Sequence, residues 1–206
     1  MSAPSPVRRR TRARELALQF LYALELRGAA ALEELEVFMD HHTKGGPDPK
    51  GREEVAAYAK EICLGVHEHR PEIDAWIEAI AENWRLARMA AVDRNVLRLA
   101  TFELLHKPDV PYKVVINEAI DIAKRYSTAQ SGAFVNGILD RTWVLVERGR
   151  ATSAGAPPPP PGEAEVRAVR RRPADETDPA HAPGGSAAAA VAPAPIPRPG
   201  PRRPRP

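Results

Sequence analysis

The sequence predicts an all-α protein of about seven helices packed as a helical bundle, followed by a tail with no fold of its own. Three observations carry this reading. Apolar residues recur at helical spacing in every segment long enough to test. No stretch alternates apolar and polar residues with a period of two, so no sheet is expected. Fifteen of the 22 prolines lie from Pro157 onward, against seven in residues 1–150. That tail has no aromatic residue, and its only branched aliphatics are Val166, Val169, Val191 and Ile196. It lacks the apolar surface to offset the entropy of ordering. The organisation expected is a flexible N-terminus over 1–7, a folded domain over 8–148, and a disordered Pro/Ala/Arg-rich tail over 149–206.

The first helix is expected over Thr11 to Arg27, with Ala13, Ala17, Phe20, Leu21 and Leu24 on one stripe and Gly28 as its stop. A short second helix covers Ala31 to His41, burying Leu32, Leu35 and Met39, and the Lys44–Gly51 stretch is a loop by composition. The third, near Arg52 to His69, repeats Val55, Tyr58, Ala59, Ile62 and Val66. Pro71 suits the first turn of the fourth, whose stripe runs Ile73, Trp76, Ile77, Ile80 and Trp84. From Met89 to His106 the apolar residues surround most of the circumference, which marks a buried central helix. Pro108 and Pro111 bracket a tight connection to the sixth helix, which ends near Tyr126. Ser127 to Gln130 has the S-x-x-Q form of a capping box for the seventh, with Phe134, Val135, Ile138, Leu139 and Val146 inward. Gly137 in that helix is read as a point of close approach to a neighbour.

Charge narrows the function classes. The chain carries 30 Lys and Arg against 27 Asp and Glu, a net charge of +3. Eight arginines and five acids of that total lie from residue 151 on, so the folded part, with 22 of each sign, is neutral. Its basic residues are nevertheless clustered: Arg8, Arg9, Arg10, Arg12 and Arg14 all precede the first acid, Glu15. A local basic patch on a neutral body points to a polyanionic partner. Cys63 is the only cysteine, which excludes an intrachain disulfide framework and fits a reducing compartment. No apolar run approaches the ~18 residues of a membrane span, and the N-terminus has no apolar signal region. The expected location is the cytoplasm, with no membrane contact.

A search for catalytic chemistry comes back empty, and the chain is expected not to be an enzyme. There is no Gly-rich phosphate loop. His67 and His69 are two apart and point to different helix faces, and His41-His42 sits at a helix end without obvious co-ligands, so no metal site and no cofactor are expected. Cys63 falls near a buried stripe and reads as a packed thiol. Glu33-Glu34 and Glu53-Glu54 lie near helix starts, where they suit the helix dipole. Asn117 and Asn136, each in an apolar run, are expected to be buried hydrogen-bonding residues. What remains is the arginine cluster, whose guanidinium groups pair with phosphates and stack on bases. Tyr22, two to three turns further on, is placed to stack on an unpaired base.

Four stretches, in this order, resemble the NusB family: RRRTRARELALQFLYALEL (8–26), VDRNVLRLATFELL (92–105), DVPYKVVINEAIDIAKRYS (109–127) and FVNGILDR (134–141). The third and fourth together are the specific part. The resemblance covers about 8–148 and implies two small perpendicular helical bundles and a job without catalysis. It implies binding of the boxA element of nascent ribosomal RNA together with NusE, a small-subunit ribosomal protein. The pair would help load an antitermination complex onto RNA polymerase. Members are monomers or homodimers, so oligomeric state stays open. A second class, the accessory domain of a ribosomal-RNA methyltransferase, would need a strand–Gly-loop–helix unit after residue 150, and the sequence has none.

Residue by residue, the resemblance implies RNA contact for Arg8, Arg9, Arg10 and Arg14, for the aromatic Tyr22, and for Gln130 and Phe134 at the start of the last helix. Gln130 departs from a position that is often acidic, which removes a charge repulsive to phosphate. Lys113 in the PYKV turn is a further phosphate candidate. Asp93 matches an acidic position associated with the NusE interface.

Overall fold

In a computed structural model, the described residues are 6–44, 48–81, 84–152 and 158–170, and they contain helices and no strand. The helices are α1 (Pro6–Arg27), α2 (Leu35–Thr43), α3 (Pro49–Glu68), α4 (Arg70–Ile80), α5 (Ala91–His106), α6 (Tyr112–Tyr126), α7 (Ser131–Thr152) and α8 (Glu163–Arg170). Short 3-10 turns over Ala29–Glu34 and Leu86–Arg88 join α1 to α2 and α4 to α5.

The helix read as central is central. Every residue of α5 from Asn95 to Leu105 is buried, and α5 packs against α1, α3, α4, α6 and α7. It bridges two groups. In one, α1 and α2 lie against α3; in the other, α6 pairs with α7, and α7 closes over α4. The apolar core runs through both, from Leu16, Phe20 and Leu24 of α1 to Val135, Leu139 and Val146 of α7. Cys63 is fully buried in it, as expected of a packed thiol, and burial pushes its pKa well up.

Five polar residues of α5 are buried with the apolar ones; Asp93, Asn95, Arg98 and Glu103 are each committed to a neighbouring helix, and the Thr101 hydroxyl has no hydrogen-bond partner among the described residues. Glu103 receives Arg14, Arg98 clasps Asp74 of α4 through Nε at 2.7 Å and Nη2 at 3.0 Å, and Asn95 donates to Glu25 of α1 at 2.6 Å. Thr101 is fully buried within the same helix. Polar links thus fix the register of α1 and α4 on α5, while the apolar stripes supply the bulk of the burial.

Several elements depart from the sequence expectation. Helix α1 begins by Pro6 rather than Thr11: proline is pre-organised for a first helical turn, and nothing among the arginines breaks a helix. Pro6 and Val7 are therefore helical, while residues 1–5 lie outside the described residues. Gly28, at φ 79°, ends α1 where only glycine adopts that backbone at no cost. Helix α4 stops at Ile80, so Trp84 falls beyond it and is 43% exposed rather than inward. The S-x-x-Q box does not form. Ser127 closes α6, and α7 starts at Ser131, whose Oγ accepts from the Thr128 backbone N–H and lies 3.0 Å from Ser127 Oγ. Gly137 has nothing within reach of a Cβ, so it marks no close approach. Asn117 is exposed and Asn136 half-buried, donating to Asp140 at 2.9 Å; neither is a buried core residue.

The domain boundary also moves. Helix α7 continues to Thr152, and residues 158–170 return to lie against α4 and α7. The Pro158 carbonyl accepts from Nε1 of the buried Trp76 at 3.3 Å. In α8, Val166 is buried and Val169 packs beside it, one helical turn apart. Two valines and a proline run are enough to dock one short amphipathic turn on an apolar face already present. The rest of the tail, from 171 on, lies outside the described residues.

Candidate nucleic-acid interface

The arginine segment is part of α1, and helix geometry sorts its side chains onto three faces. At 100° per residue, Arg8, Arg12, Gln19, Tyr22 and Leu26 fall within ~80° of one another. Arg8, Arg12, Tyr22 and Leu26 of that set are exposed, so they form an outward stripe. Tyr22, 40% exposed, lies ~15 Å along the axis from Arg12 at a rise of 1.5 Å per residue. Arg12, a member of the arginine cluster though outside the set the family resemblance implies, carries the same outward placement as Arg8.

Arg9 and Arg10 face α3. Arg9 pairs with Asp48 and with Glu54, both at 2.7 Å, and Arg10 lies over the Tyr58 ring at 3.8 Å from its centroid. The Glu54 hydrogen bond is the leading cause of a raised Arg9 pKa. Asp48 also caps α3, accepting from the Gly51 N–H at 3.1 Å. A Cβ at Gly51 would sit 2.3 Å from Asp48 Oδ2 and 2.8 Å from Arg9 Nε, so only glycine permits this approach.

Arg14 points into the protein, and this corrects its expected place in the RNA-binding set. Its side chain is 2% exposed, with Nε 2.9 Å from one Glu103 oxygen and Nη2 2.9 Å from the other. The Tyr58 hydroxyl donates to the same carboxylate. Desolvation works to lower the Arg14 pKa, but the Glu103 hydrogen bonds and charge outweigh it and the pKa is raised. Burial and the Glu103 charge push the Tyr58 hydroxyl well above its ordinary range. The arginine is a core ion pair and is not available to phosphate.

Between the start of α1, the end of α2 and the start of α3 lies a pocket of about 260 Å³. Arg8, Arg9, Arg12, Lys44 and Arg52 line it, with Asp48 as its acid. The buried Nε groups of Arg9 and Arg52 have no hydrogen-bond partner among the described residues. The N-terminus of α3 adds a partial positive charge. Glu54 and Glu15 offset part of the charge of Arg9 and Arg12, but five cationic side chains line the pocket against one lining carboxylate, with two donors unspent, an arrangement suited to an anion.

The stripe continues onto α6. Glu15 takes Arg12 at 3.3 Å and Arg125 at 2.6 Å, so its charge is flanked by two guanidinium groups. Glu118 accepts from Thr11 at 3.0 Å, and these contacts advance in the same chain direction along α1 and α6. The first turn of α6, with exposed Lys113, therefore lies toward the arginine end. At the other end, Ser127 to Gln130 leads into α7, and Gln130 is exposed. Phe134, half-buried, meets the exposed Trp84 ring at 5.7 Å between centroids, tilted by 58°. Trp84 is a second surface candidate that the sequence expectation missed. The sequence placed it inward as the last member of the α4 stripe, and the end of α4 at Ile80 is what leaves it on the surface.

Asp93 is a further correction. It is buried in the first turn of α5, and its Oδ2 accepts from Ser131 Oγ at 3.0 Å. The carboxylate ties the start of α7 to the start of α5 through Oδ2, is 8% exposed, and has no hydrogen-bond partner for Oδ1 among the described residues.

The NusB family model matches residues 11–143. The transcription antitermination protein NusB of Sorangium cellulosum is 48% identical over 132 residues, covering 64% of this chain and 89% of that protein. Among solved structures, T. maritima NusB is 41% identical with a TM-score of 0.57, covering 70% of this chain and 93% of that one. The crystal structure of antitermination factors NusB and NusE in complex with dsRNA contains a chain 28% identical, with a TM-score of 0.57. That match covers 67% of this chain and 98% of the other. By sequence and by fold, the chain belongs to the NusB family of transcription antitermination proteins.

Proposed function

We propose that this chain is a non-catalytic RNA-binding factor of transcription antitermination and ribosomal RNA synthesis, working in the cytoplasm. It binds boxA RNA of nascent ribosomal transcripts together with the ribosomal protein NusE, and the pair joins the antitermination complex on RNA polymerase. The observation that carries the reading is the exposed α1 stripe of Arg8, Arg12 and Tyr22 beside a pocket lined by five cationic side chains. Guanidinium groups hold phosphates, and an exposed aromatic stacks on a splayed base. The relative solved with NusE and dsRNA supports both partners.

The RNA-facing set in this reading is Arg8, Arg9, Arg10, Arg12 and Lys113 for phosphate, and Tyr22, Gln130 and Phe134 for bases, with Trp84 beside Phe134. Arg9 reaches phosphate by exchanging part of its pairing with Asp48 and Glu54. The deciding experiment is filter binding of boxA RNA and a scrambled RNA, each with and without NusE. Tighter binding of boxA, strengthened further by NusE, is expected. Equal binding of both RNAs in the presence of NusE would overturn the reading.

A further inference from the structure

We propose that His69, Glu72 and His106 form a site for a divalent transition metal, with zinc the cation their chemistry fits best. The three residues come from two helices. His69 immediately precedes α4, Glu72 is in its first turn, and His106 is the last residue of α5. One carboxylate oxygen, Glu72 Oε2, lies 3.4 Å from His69 Nδ1 and 3.2 Å from His106 Nε2. All three ligand atoms lie within 4.8 Å of one another.

Those distances match what zinc requires. With Zn–N of about 2.0–2.1 Å and Zn–O of about 2.0–2.2 Å, neighbouring ligand atoms of a tetrahedral site stand ~3.3–3.5 Å apart. Two of the three edges, at 3.4 and 3.2 Å, are already close to that length, and the third lies within 4.8 Å. The backbone under the site is fixed: His69 N–H donates to the Gly65 carbonyl, and its own carbonyl receives Ile73 N–H, each at 2.9 Å. Phe102 backs both rings, at 6.3 Å from His69 and 5.3 Å from His106 between centroids, and the two imidazoles stack at 4.0 Å.

The donor set selects the metal class. Two imidazoles and one carboxylate suit zinc and its neighbours, whereas calcium and magnesium demand oxygen ligands. Three protein ligands leave a fourth position, and the partial exposure of all three residues lets water fill it. Arg150 opposes positive charge at His106, but its Nη2 is engaged by the Leu104 and Leu105 carbonyls, and Glu72 sits between the rings to offset it. A bound ion would tie the start of α4 to the end of α5. A search confined to histidines near in sequence cannot find this site, because its ligands lie 34 residues apart.

The test uses the full chain, freed of metal with a chelator and titrated with zinc chloride by calorimetry. One equivalent is expected to bind, with affinity at least tenfold weaker in Glu72→Gln and in His106→Ala and unchanged in His67→Gln. Zinc should raise the melting temperature of the unsubstituted protein and of His67→Gln alone. Ring nitrogen NMR of the unsubstituted protein keeps the test valid if a variant folds poorly: zinc should shift the signals of His69 and His106 and leave those of His41 and His67 in place. Absence of stoichiometric binding would overturn the proposal, leaving Glu72 a hydrogen-bond partner of His106 with His69 beside it. Equal affinity in well-folded Glu72→Gln and His106→Ala, or zinc-induced shifts confined to other histidines, would overturn it too.

Discussion

Arg14 of α1 and Glu103 of α5 form a buried two-pronged ion pair, both oxygens of the carboxylate lying 2.9 Å from guanidinium nitrogens. Removing one partner strands a buried charge, a loss of ~3–5 kcal/mol. Arg14→Ala should therefore lower stability by that order in a denaturant titration. Arg8→Ala, at an exposed position, should change it by less than ~0.5 kcal/mol. A well-folded Arg14→Ala protein with altered RNA affinity alone would contradict this division of the arginines.

Acid sensitivity should come in part from Glu25. It accepts from Arg94 at 2.8 Å and Asn95 at 2.6 Å, and Arg98 lies 3.3 Å away. Desolvation acts to raise its pKa, but these hydrogen bonds and charges prevail and hold it below the usual carboxylate range. A pKa lowered by folding means that ionised Glu25 stabilises the fold above the ordinary glutamate value, ~4.3, and that this is lost as pH falls through the folded pKa. The stability advantage of the unsubstituted protein over Glu25→Gln should be flat at neutral pH and shrink below pH ~4.3. An advantage that grew on acidification would contradict the assignment.

Truncation separates the docked part of the tail from the remainder. Ending the chain after Thr152 removes α8 and its buried Val166, worth ~1.5–3 kcal/mol of burial, and leaves Trp76 Nε1 without the Pro158 carbonyl. Ending it after Arg172 keeps both. Thermal melting should fall for the first truncation and hold for the second. The arginines beyond, Arg198, Arg202, Arg203 and Arg205, should contribute only salt-sensitive, sequence-independent RNA affinity.

Gly137→Ala should stabilise the protein by up to ~1 kcal/mol, because alanine is the better helix former and nothing stands within 4 Å of the new methyl group. Chemical denaturation checks this, and a loss of stability would mean that a neighbour does approach α7 there.

Most of the fold was legible because helical periodicity is a local signal that tertiary packing here does not override. The α5 stripe, apolar nearly all round, announced its own burial, and Gly28 announced the end of α1. The site was legible only as a set of residue types. Spacing alone shows five arginines before an acid, but whether each meets solvent or a carboxylate depends on partners such as Glu103, 89 residues away. Asp93 was misread for the same reason: a helix-start acid looks exposed until Ser131 is seen to cover it. Arg12 was legible as part of the arginine cluster, whereas Trp84 read as the inward end of the α4 stripe, because nothing local marks the end of α4 at Ile80. The docking of α8 was not legible, since two valines in a proline-rich stretch carry no periodic signal strong enough to outweigh their surroundings.

Whether the outward stripe of α1 holds RNA phosphates is read from the salt dependence of boxA affinity for the Arg8→Ala/Arg12→Ala double variant beside the unsubstituted protein. Both side chains lie on the exposed face, so the variant should fold and melt normally. Loss of two single-strand phosphate contacts lowers the slope of log K against log salt by ~1.4. The double variant should bind more weakly at low salt, with a slope reduced by about that amount, and the two proteins should converge as salt rises. Unchanged affinity and unchanged slope in a folded double variant would contradict phosphate binding by this stripe.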